Sequence, residues 1–164
     1  MRIAHLLPSM SRIGGAMTNA VRDLTFHQAR IPGDNIGVFA PEDQFSGQDV
    51  GIWGDVIVRA CTLKSGSPFR QGPKLKAAIQ DFDPDIIHVH GLDDSLTKVG
   101  AAIAKGTGAR YIITPHGALS GSHKRGGLHL FEDRSARAAG CFHALGTGEA
   151  KAIREAGFQN HICA

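Results

Sequence analysis

Short apolar runs alternate along the chain with longer stretches in which apolar residues recur every three or four positions. The short runs predict β-strands over residues 2–7, 35–40, 55–60, 85–90, 110–114, 141–145 and 161–164. The longer stretches predict helices over residues 16–30, 95–105, 123–139 and 148–156, and one that begins at Pro73. Residues 41–54 and 62–72 are predicted to be polar loops.

Two helices carry further signals. In the first, one-face spacing predicts a buried side made of Met17, Ala20, Val21 and Leu24. In the last, Thr147 is the predicted N-cap.

Regular alternation of helices with apolar strands is typical of a parallel sheet covered on both faces. The sequence therefore predicts a single doubly wound, Rossmann-like α/β domain over residues 1–164, a length suited to one domain. In such folds, ligands bind beyond the carboxyl ends of the strands. Residues at those exits are therefore the first candidates for function.

Composition narrows the classes of function. A net charge of +3 is too weak to indicate nucleic-acid binding, although it suits an anionic substrate or a membrane surface. Cys61, Cys141 and Cys163 are odd in number and form no CxxC pair, which argues against a disulfide framework and for a reducing cytoplasm. The first apolar run is too short for a signal peptide or a membrane span, so we expect it to be the first strand.

A glycine pair follows the first strand, in "PSMSRIGGAMT". Gly14 and Gly15 stand just before a predicted helix, where glycine lets the backbone approach a ligand and free N–H groups attract phosphate. The segment matches neither GxGxxG nor the Walker pattern. A tight turn that simply requires glycine explains the pair equally well.

Two histidines end the fourth strand, in "HVHGLDD". His88 and His90 are two positions apart and so point to one face of the sheet, with His88 the more interior and His90 at the lip. A hydrogen-bonded core histidine is one explanation. The other is a metal site in which His88, His90 and His116 join Asp93 or Asp94.

A third histidine follows the fifth strand, in "TPHGALSG". Pro115 disfavours helix before it and Gly117 allows a sharp turn, so His116 is presented at the cleft on a stiff support. Such a histidine can donate or accept a hydrogen bond, or carry charge near neutral pH. The alternative is a histidine that only caps the next helix.

Four segments occur in order along the chain: "GG" at 14–15, "PDIIHVHG" at 84–91, "ITPHGAL" at 113–119 and "FHALGTGEAKAIREAGF" at 142–158. Together they resemble the N-terminal, acceptor-binding domain of family 4 glycosyltransferases. The resemblance implies one half of a GT-B fold in a retaining enzyme that needs no metal. This half would hold the acceptor, a glycan or a lipid-linked sugar, and a C-terminal donor domain would hold a nucleotide-sugar such as a UDP- or GDP-hexose.

The resemblance also implies roles for residues. Gly14 and Gly15 would face the donor diphosphate across the cleft. His116 would lie near the transferring sugar as the catalytic residue, where its ring can bind hydroxyls or stabilise developing charge. The candidates for acceptor binding leave strand ends toward the cleft, and they are Arg12, His90, Gly91, Gly117, Ser120 and Lys124. For Lys124, a solvated helix start is the simpler explanation.

The sequence departs from the family pattern after residue 158. It ends at "NHICA", and no two of Glu42, Glu132, Glu149 and Glu155 have the eight-residue spacing of the donor-binding glutamates. We therefore expect this sequence to contain only the acceptor-binding half of the enzyme. It should be inactive until a donor domain, from the same or a second polypeptide, completes it.

Two other classes of function stay open. One is a non-catalytic module that binds a glycan or a partner protein. The other is a metal-dependent hydrolase that uses His88, His90 and His116. The commonest setting of the resemblance, polysaccharide or lipopolysaccharide assembly, predicts a cytoplasmic protein with peripheral contact at the inner membrane face.

Overall fold

The computed structural model describes residues 1–62, 72–92, 94–119 and 130–164. The strands are β1 (Arg2–Leu6), β2 (Asn35–Pro41), β3 (Ile57–Cys61), β4 (Ile86–His90), β5 (Arg110–Thr114), β6 (Cys141–His143) and β7 (His161–Cys163). The helices are α1 (Gly15–Gln28), α2 (Ser46–Asp49), α3 (Gly72–Phe82), α4 (Asp94–Thr107), α5 (Leu130–Arg137) and α6 (Thr147–Glu155). Within these ranges, no helix is long and apolar enough to cross a bilayer.

The strands form one sheet of seven in the order β3-β2-β1-β4-β5-β6-β7, and every neighbouring pair is parallel. The order reverses between β1 and β4, which is the point where doubly wound folds open a crevice for ligands. The predicted doubly wound, Rossmann-like α/β fold is confirmed.

The two faces of the sheet carry separate apolar clusters. One contains Leu6, Ile87 and Ile113. The other contains Leu7 and Val21 and lies under α1, so we call this side the α1 face. Because side chains alternate along a strand, the residues of β1 and β4 that do not join the first cluster point to the α1 face.

The inner side of α1 is more polar than its spacing predicted. The buried side chains are Thr18, Val21 and Thr25. Ala20, predicted to be buried, is exposed, and Met17 and Leu24 are only half-buried. The helix is turned this way because it covers polar groups, and Thr18 Oγ1 donates to the carbonyl of Ser9 at 2.8 Å.

Residues 41–54 are not the simple polar loop that composition predicted. They contain α2 and a 3₁₀ helix, Val50–Trp53. Trp53 is buried at 1% exposure and its Nε1 donates to the carbonyl of Met10 at 2.9 Å. This segment therefore closes the α1-face core beside the exit of β1.

The start of α6 also differs from the prediction. Thr147 is the first helical residue, and the N-cap is Gly146 with no side-chain cap bond. Glu149 in the first turn instead reaches back past the cap, where its Oε2 accepts from the N–H of Leu145 at 2.8 Å.

Two cysteines that are distant in the sequence lie side by side. Cys141 on β6 and Cys163 on β7 are free thiols with Sγ atoms 2.8 Å apart. Their proximity depends on the pairing of β6 with β7, which spacing alone does not indicate.

Candidate functional site

Histidines from four strand segments meet on the α1 face of the sheet. They are His5, His88, His90, His116 and His143, and neighbouring rings have centroids 4.1 to 6.0 Å apart. Strand register explains much of this, since His5 of β1 lies opposite His88 of β4. Alternation then places His90 on the same face.

Hydrogen bonds join three of the rings to α1, and we call this set the histidine chain. Gln28 Oε1 lies 2.9 Å from His5 Nε2, His5 Nδ1 lies 2.9 Å from His90 Nε2, and His90 Nδ1 lies 2.9 Å from His116 Nε2. The sequence singled out His90 and His116 but missed His5 and Gln28. The available signal was a histidine inside the otherwise apolar run 3–7.

The remaining two histidines form a second branch. His88 Nε2 lies 2.7 Å from Thr114 Oγ1, and the same hydroxyl lies 3.0 Å from His143 Nδ1. This branch runs beside the histidine chain and, among the described residues, makes no hydrogen bond to His116. It therefore supports the site from β4, β5 and β6.

The backbone at His116 is held in a conformation that few residues adopt. His116 has φ of 52° and Gly117 has φ of 77°, and a left-handed residue other than glycine is uncommon. Glu149, only 8% exposed, accepts from the N–H of Gly117 through Oε1 at 2.6 Å and from Leu145 through Oε2. The carboxylate thus fastens the turn after β5 to α6, and we call its two hydrogen bonds the Glu149 clamp.

We expect Glu149→Ala to speed hydrogen exchange at the Gly117 and Leu145 amides by about tenfold to a hundredfold, because a hydrogen bond to a charged group contributes roughly 1.5–3 kcal/mol. Exchange is followed by NMR at each amide. Glu155→Ala is the matched control, since Glu155 is exposed on the same helix and faces Lys151. Unchanged exchange in Glu149→Ala would contradict the clamp.

Burial keeps the rings of His5, His88 and His90 neutral near pH 7. It lowers the pKa of His5 to about 4, and it lowers the pKa values of His88 and His90 well below the ordinary histidine value. Burial also lowers the pKa of His116, although the negative charge of Glu149 acts in the opposite direction. A neutral imidazole both donates and accepts, so the site offers directed hydrogen bonds.

Different constraints explain the two glycines at the start of α1, the N-cap Gly14 and the first helical residue Gly15. A Cβ at Gly14 would lie 1.8 Å from Thr18 Oγ1 and 2.9 Å from the carbonyl of Ser9, so packing alone excludes a side chain. Gly15 has φ of 57°, and a Cβ there would meet no described atom within 4 Å. Gly14 therefore fits the tight-turn explanation, whereas Gly15 faces open space that a ligand could enter.

Carboxylates hold the loop after β1. The hydroxyls of Ser9 and Ser11 donate to Asp43 Oδ2 at 2.6 and 2.9 Å. Arg12, a predicted acceptor contact, donates from Nε to Asp49 Oδ2 at 2.9 Å, although its side chain stays 59% exposed. Sequence reasoning missed both aspartates because they lie in the segment predicted to be a polar loop.

The predicted positions of the two β4 histidines are wrong. His90 was expected at the lip and His88 deeper, but His90 is 1% exposed and His88 is 7% exposed. The two rings pack against each other with centroids 4.1 Å apart, and His5 packs against both with centroids 5.2 Å away. In this conformation His90 reaches the cleft only through its bond to His116.

The other predicted acceptor residues divide into two groups. Gly91 and Gly117 both have positive φ, and the N–H of Gly91 donates to the carbonyl of Thr114 at 2.8 Å. They therefore shape the exits of β4 and β5. Ser120 and Lys124 lie outside the described residues.

The metal hypothesis named His88, His90 and His116, with Asp93 or Asp94. Among the described residues, the group of three potential metal ligands whose ligand atoms all lie within 4.8 Å of one another is His5, His88 and His90, without His116. Each of these three has a ring nitrogen within hydrogen-bond distance of another side chain. Asp93 lies outside the described residues. Hydrogen bonding accounts for this arrangement, which gives the hydrolase hypothesis no support.

A family model described as a glycosyl transferase 4-like domain matches residues 16–163. The chain belongs to the glycosyl transferase 4-like family. The resemblance to family 4 glycosyltransferases, predicted from the ordered motifs, is thereby confirmed at the level of the family. No curated protein sequence matches this glycosyl transferase 4-like domain.

Solved structures resemble the domain over its whole length. They include the lipopolysaccharide outer core galactosyltransferase WaaB in its apo form, with a TM-score of 0.71, 17% identity, and coverage of 100% of this chain and 45% of that chain. Anabaena Alr3699/HepE in complex with UDP gives a TM-score of 0.67 and 20% identity, with coverage of 99% and 43%. The UDP-GlcNAc 2-epimerase of Methanocaldococcus jannaschii gives 0.64 and 17%, with coverage of 100% and 45%.

These likenesses establish the fold, which is one Rossmann-like half of the GT-B type. The domain spans less than half the length of each of these chains. Because an epimerase is among them, the fold by itself does not assign sugar transfer. That assignment depends on the family match and on the site.

Proposed function

We propose that this glycosyl transferase 4-like domain is the acceptor-binding half of a retaining glycosyltransferase. In the complete protein it would present a glycan or lipid-linked sugar to a hexose carried on UDP or GDP. The observation that carries the proposal is the position of His116, a half-buried ring fixed by His90 and by the Glu149 clamp at the carboxyl edge of the sheet. Ligands of doubly wound folds bind at this edge.

His116 suits the chemistry of transfer. Charge develops on the sugar and on the leaving diphosphate, and groups fixed in advance near developing charge lower the barrier. The hydrogen bond to His90 and the turn fastened by Glu149 hold the ring in place, so little reorganisation is needed when substrate arrives. This supports a catalytic role for His116.

We assign most of the donor contacts to the remainder of the complete protein. Alr3699/HepE has been solved with UDP, with UDP and glucose, and with UDP-glucose, and this domain covers 43% of that chain. On this half, Gly15 is the point where the donor diphosphate would approach, because it opens α1 and faces space. Backbone N–H groups would then bind the diphosphate in place of a metal ion.

The proposed acceptor suggests where the protein works. A lipid-linked sugar would hold the domain at a membrane surface, and a net charge of +3 suits anionic headgroups. We therefore propose a cytoplasmic enzyme, peripheral at the inner membrane face, in the assembly of surface polysaccharide or lipopolysaccharide.

The complete protein is expected to release UDP or GDP from one member of a panel of nucleotide-hexoses only when an acceptor glycan or lipid fraction is added. Residues 1–164 alone are expected to release none. EDTA is expected to leave the reaction unchanged, because no metal is proposed.

Acceptor-dependent release by residues 1–164 alone would contradict the assignment of this domain as a half-site. Loss of activity in EDTA would contradict the metal-free mechanism. Glycan binding by the complete protein without any nucleotide release would favour the alternative, a non-catalytic glycan-binding module.

A further inference from the structure

The histidine chain has one end whose hydrogen-bonding role is fixed. Gln28 presents its amide oxygen to His5 Nε2 at 2.9 Å, and an amide oxygen can only accept. We propose that Gln28, His5 and His90 are positioning residues that set the tautomer of His116, keeping its proton on Nε2 and leaving the lone pair of Nδ1 for a ligand.

The polarity passes from ring to ring. Because Gln28 accepts, neutral His5 carries its proton on Nε2 and accepts at Nδ1. His90 must then donate from Nε2 to His5 and accept at Nδ1. His116 in turn must donate from Nε2 to His90. The glutamine oxygen thus determines the position of a proton three hydrogen bonds away.

Burial protects this polarity. His5 is 0% exposed and His90 is 1% exposed, so water cannot supply a competing donor or acceptor. His88 lies against His90 in a tilted arrangement with centroids 4.1 Å apart, but its Nε2 bonds to Thr114. The second branch therefore leaves the histidine chain intact.

The charged and titratable groups around His116 are consistent with this tautomer. His90 faces it from β4, and Glu149 and His143 act on it electrostatically from α6 and β6. Among the described residues, none makes a hydrogen bond to His116 Nδ1. That nitrogen can accept a hydrogen bond, or take a second proton, while Nε2 stays bonded to His90 and the buried rings keep their places.

The consequence for catalysis rests on the proposed function, whereas the tautomer itself does not. If a sugar hydroxyl binds at His116, it would meet a lone pair rather than an N–H. His116 would then accept a hydrogen bond or a proton from the sugar, and it would not donate one.

Two substitutions at one position test the polarity. Gln28→Lys offers only donors, so every bond in the histidine chain must reverse and the proton of His116 must move to Nδ1. Gln28→Glu keeps an acceptor, so the proton stays on Nε2. Both should be accommodated because Gln28 is half-buried in the last turn of α1, where a cation in particular is favourable.

The readout is long-range ¹H–¹⁵N NMR of the histidine-labelled chain, at a pH well above the ordinary histidine pKa of about 6.5. His116→Gln identifies the signals of His116. Wild type and Gln28→Glu are expected to carry the proton on Nε2. Gln28→Lys is expected to raise the ratio of the Nδ1–H to the Nε2–H form at least about tenfold. Gln80→Lys, the same change at an exposed position of α3, is expected to leave the ratio unchanged.

A proton on Nδ1 in the wild type, or the wild-type ratio in Gln28→Lys, would overturn the proposal. If Gln28→Lys fails to fold, Gln28→Met removes the acceptor without adding a donor and is expected to give a mixture. An unchanged ratio there overturns the proposal as well. One equivalent of Zn²⁺ retained through dialysis on His5 and His90 would also overturn the proposal, since a ring nitrogen bound to zinc cannot take part in the hydrogen bonds of the histidine chain.

Kinetics separate this inference from the proposed function. In the complete protein, Gln28→Lys is expected to lower kcat more than it changes KM, and Gln80→Lys to leave both unchanged. If the tautomer inverts while kcat is unchanged, the catalytic role of His116 fails and the positioning role stands.

Discussion

We expect His116→Ala to lower sugar transfer by the complete protein about a hundredfold to a thousandfold, the loss seen when one fixed group that stabilises developing charge is removed. His116 is the half-buried ring of the histidine chain, whereas His5 and His90 are buried. The effect should fall mainly on kcat, because the group is proposed to act in the transition state.

The domain should remain folded in this variant. His116 is half-buried and ends the histidine chain, so the cost to stability is the hydrogen bond lost from buried His90, about 1–3 kcal/mol, together with any difference between alanine and histidine in the left-handed backbone. His116→Asn separates the two effects, because asparagine tolerates this backbone and lacks the ring. His27→Ala, at an exposed histidine of α1, is the control. Transfer at the wild-type rate in both His116 variants would refute the assigned role.

The fold could be predicted because strand and helix periods differ clearly in this sequence. Residues 87–90 alternate as a strand should, and β4 is Ile86–His90. The inner face of α1 could not be predicted in the same way. Apolar spacing selects Ala20, yet Thr18 and Thr25 are buried, because α1 covers a sheet face that carries histidines and a hydroxyl network.

Only those parts of the candidate site that depend on neighbouring residues in the sequence could be predicted. The segment around Pro115, His116 and Gly117 is visible because residues that restrict or free the backbone flank a histidine. His5 and Gln28 are not visible, because their role depends on β1 lying next to β4 and on the rotation of α1. Strand order and helix rotation are tertiary properties that periodicity does not encode.

We expect the domain to lose stability steeply as pH falls from about 6.5 to about 4, with His5 by itself accounting for about 3 kcal/mol. In the folded state burial holds the pKa of His5 at about 4, whereas in the unfolded chain it is about 6.5. Between these values the unfolded state binds more protons, so acid favours unfolding. His88 and His90, whose pKa values burial also lowers, act in the same direction.

Urea unfolding followed by circular dichroism at the two ends of this pH range measures the effect. His5→Gln should flatten the pH dependence, because a group that does not titrate replaces one that does, and His27→Gln is the control at an exposed histidine. The carboxylates act at lower pH, since Arg12 holds the pKa of Asp49 at about 2 and its contribution is lost only as pH falls toward that value. If the urea concentration at the unfolding midpoint is the same at both ends of the pH range, the burial of neutral histidines beneath α1 is contradicted. The same neutral rings are proposed to keep the proton of His116 on Nε2. Acid that charges these rings should therefore also remove the preference of His116 for this tautomer, at the pH where the domain begins to unfold.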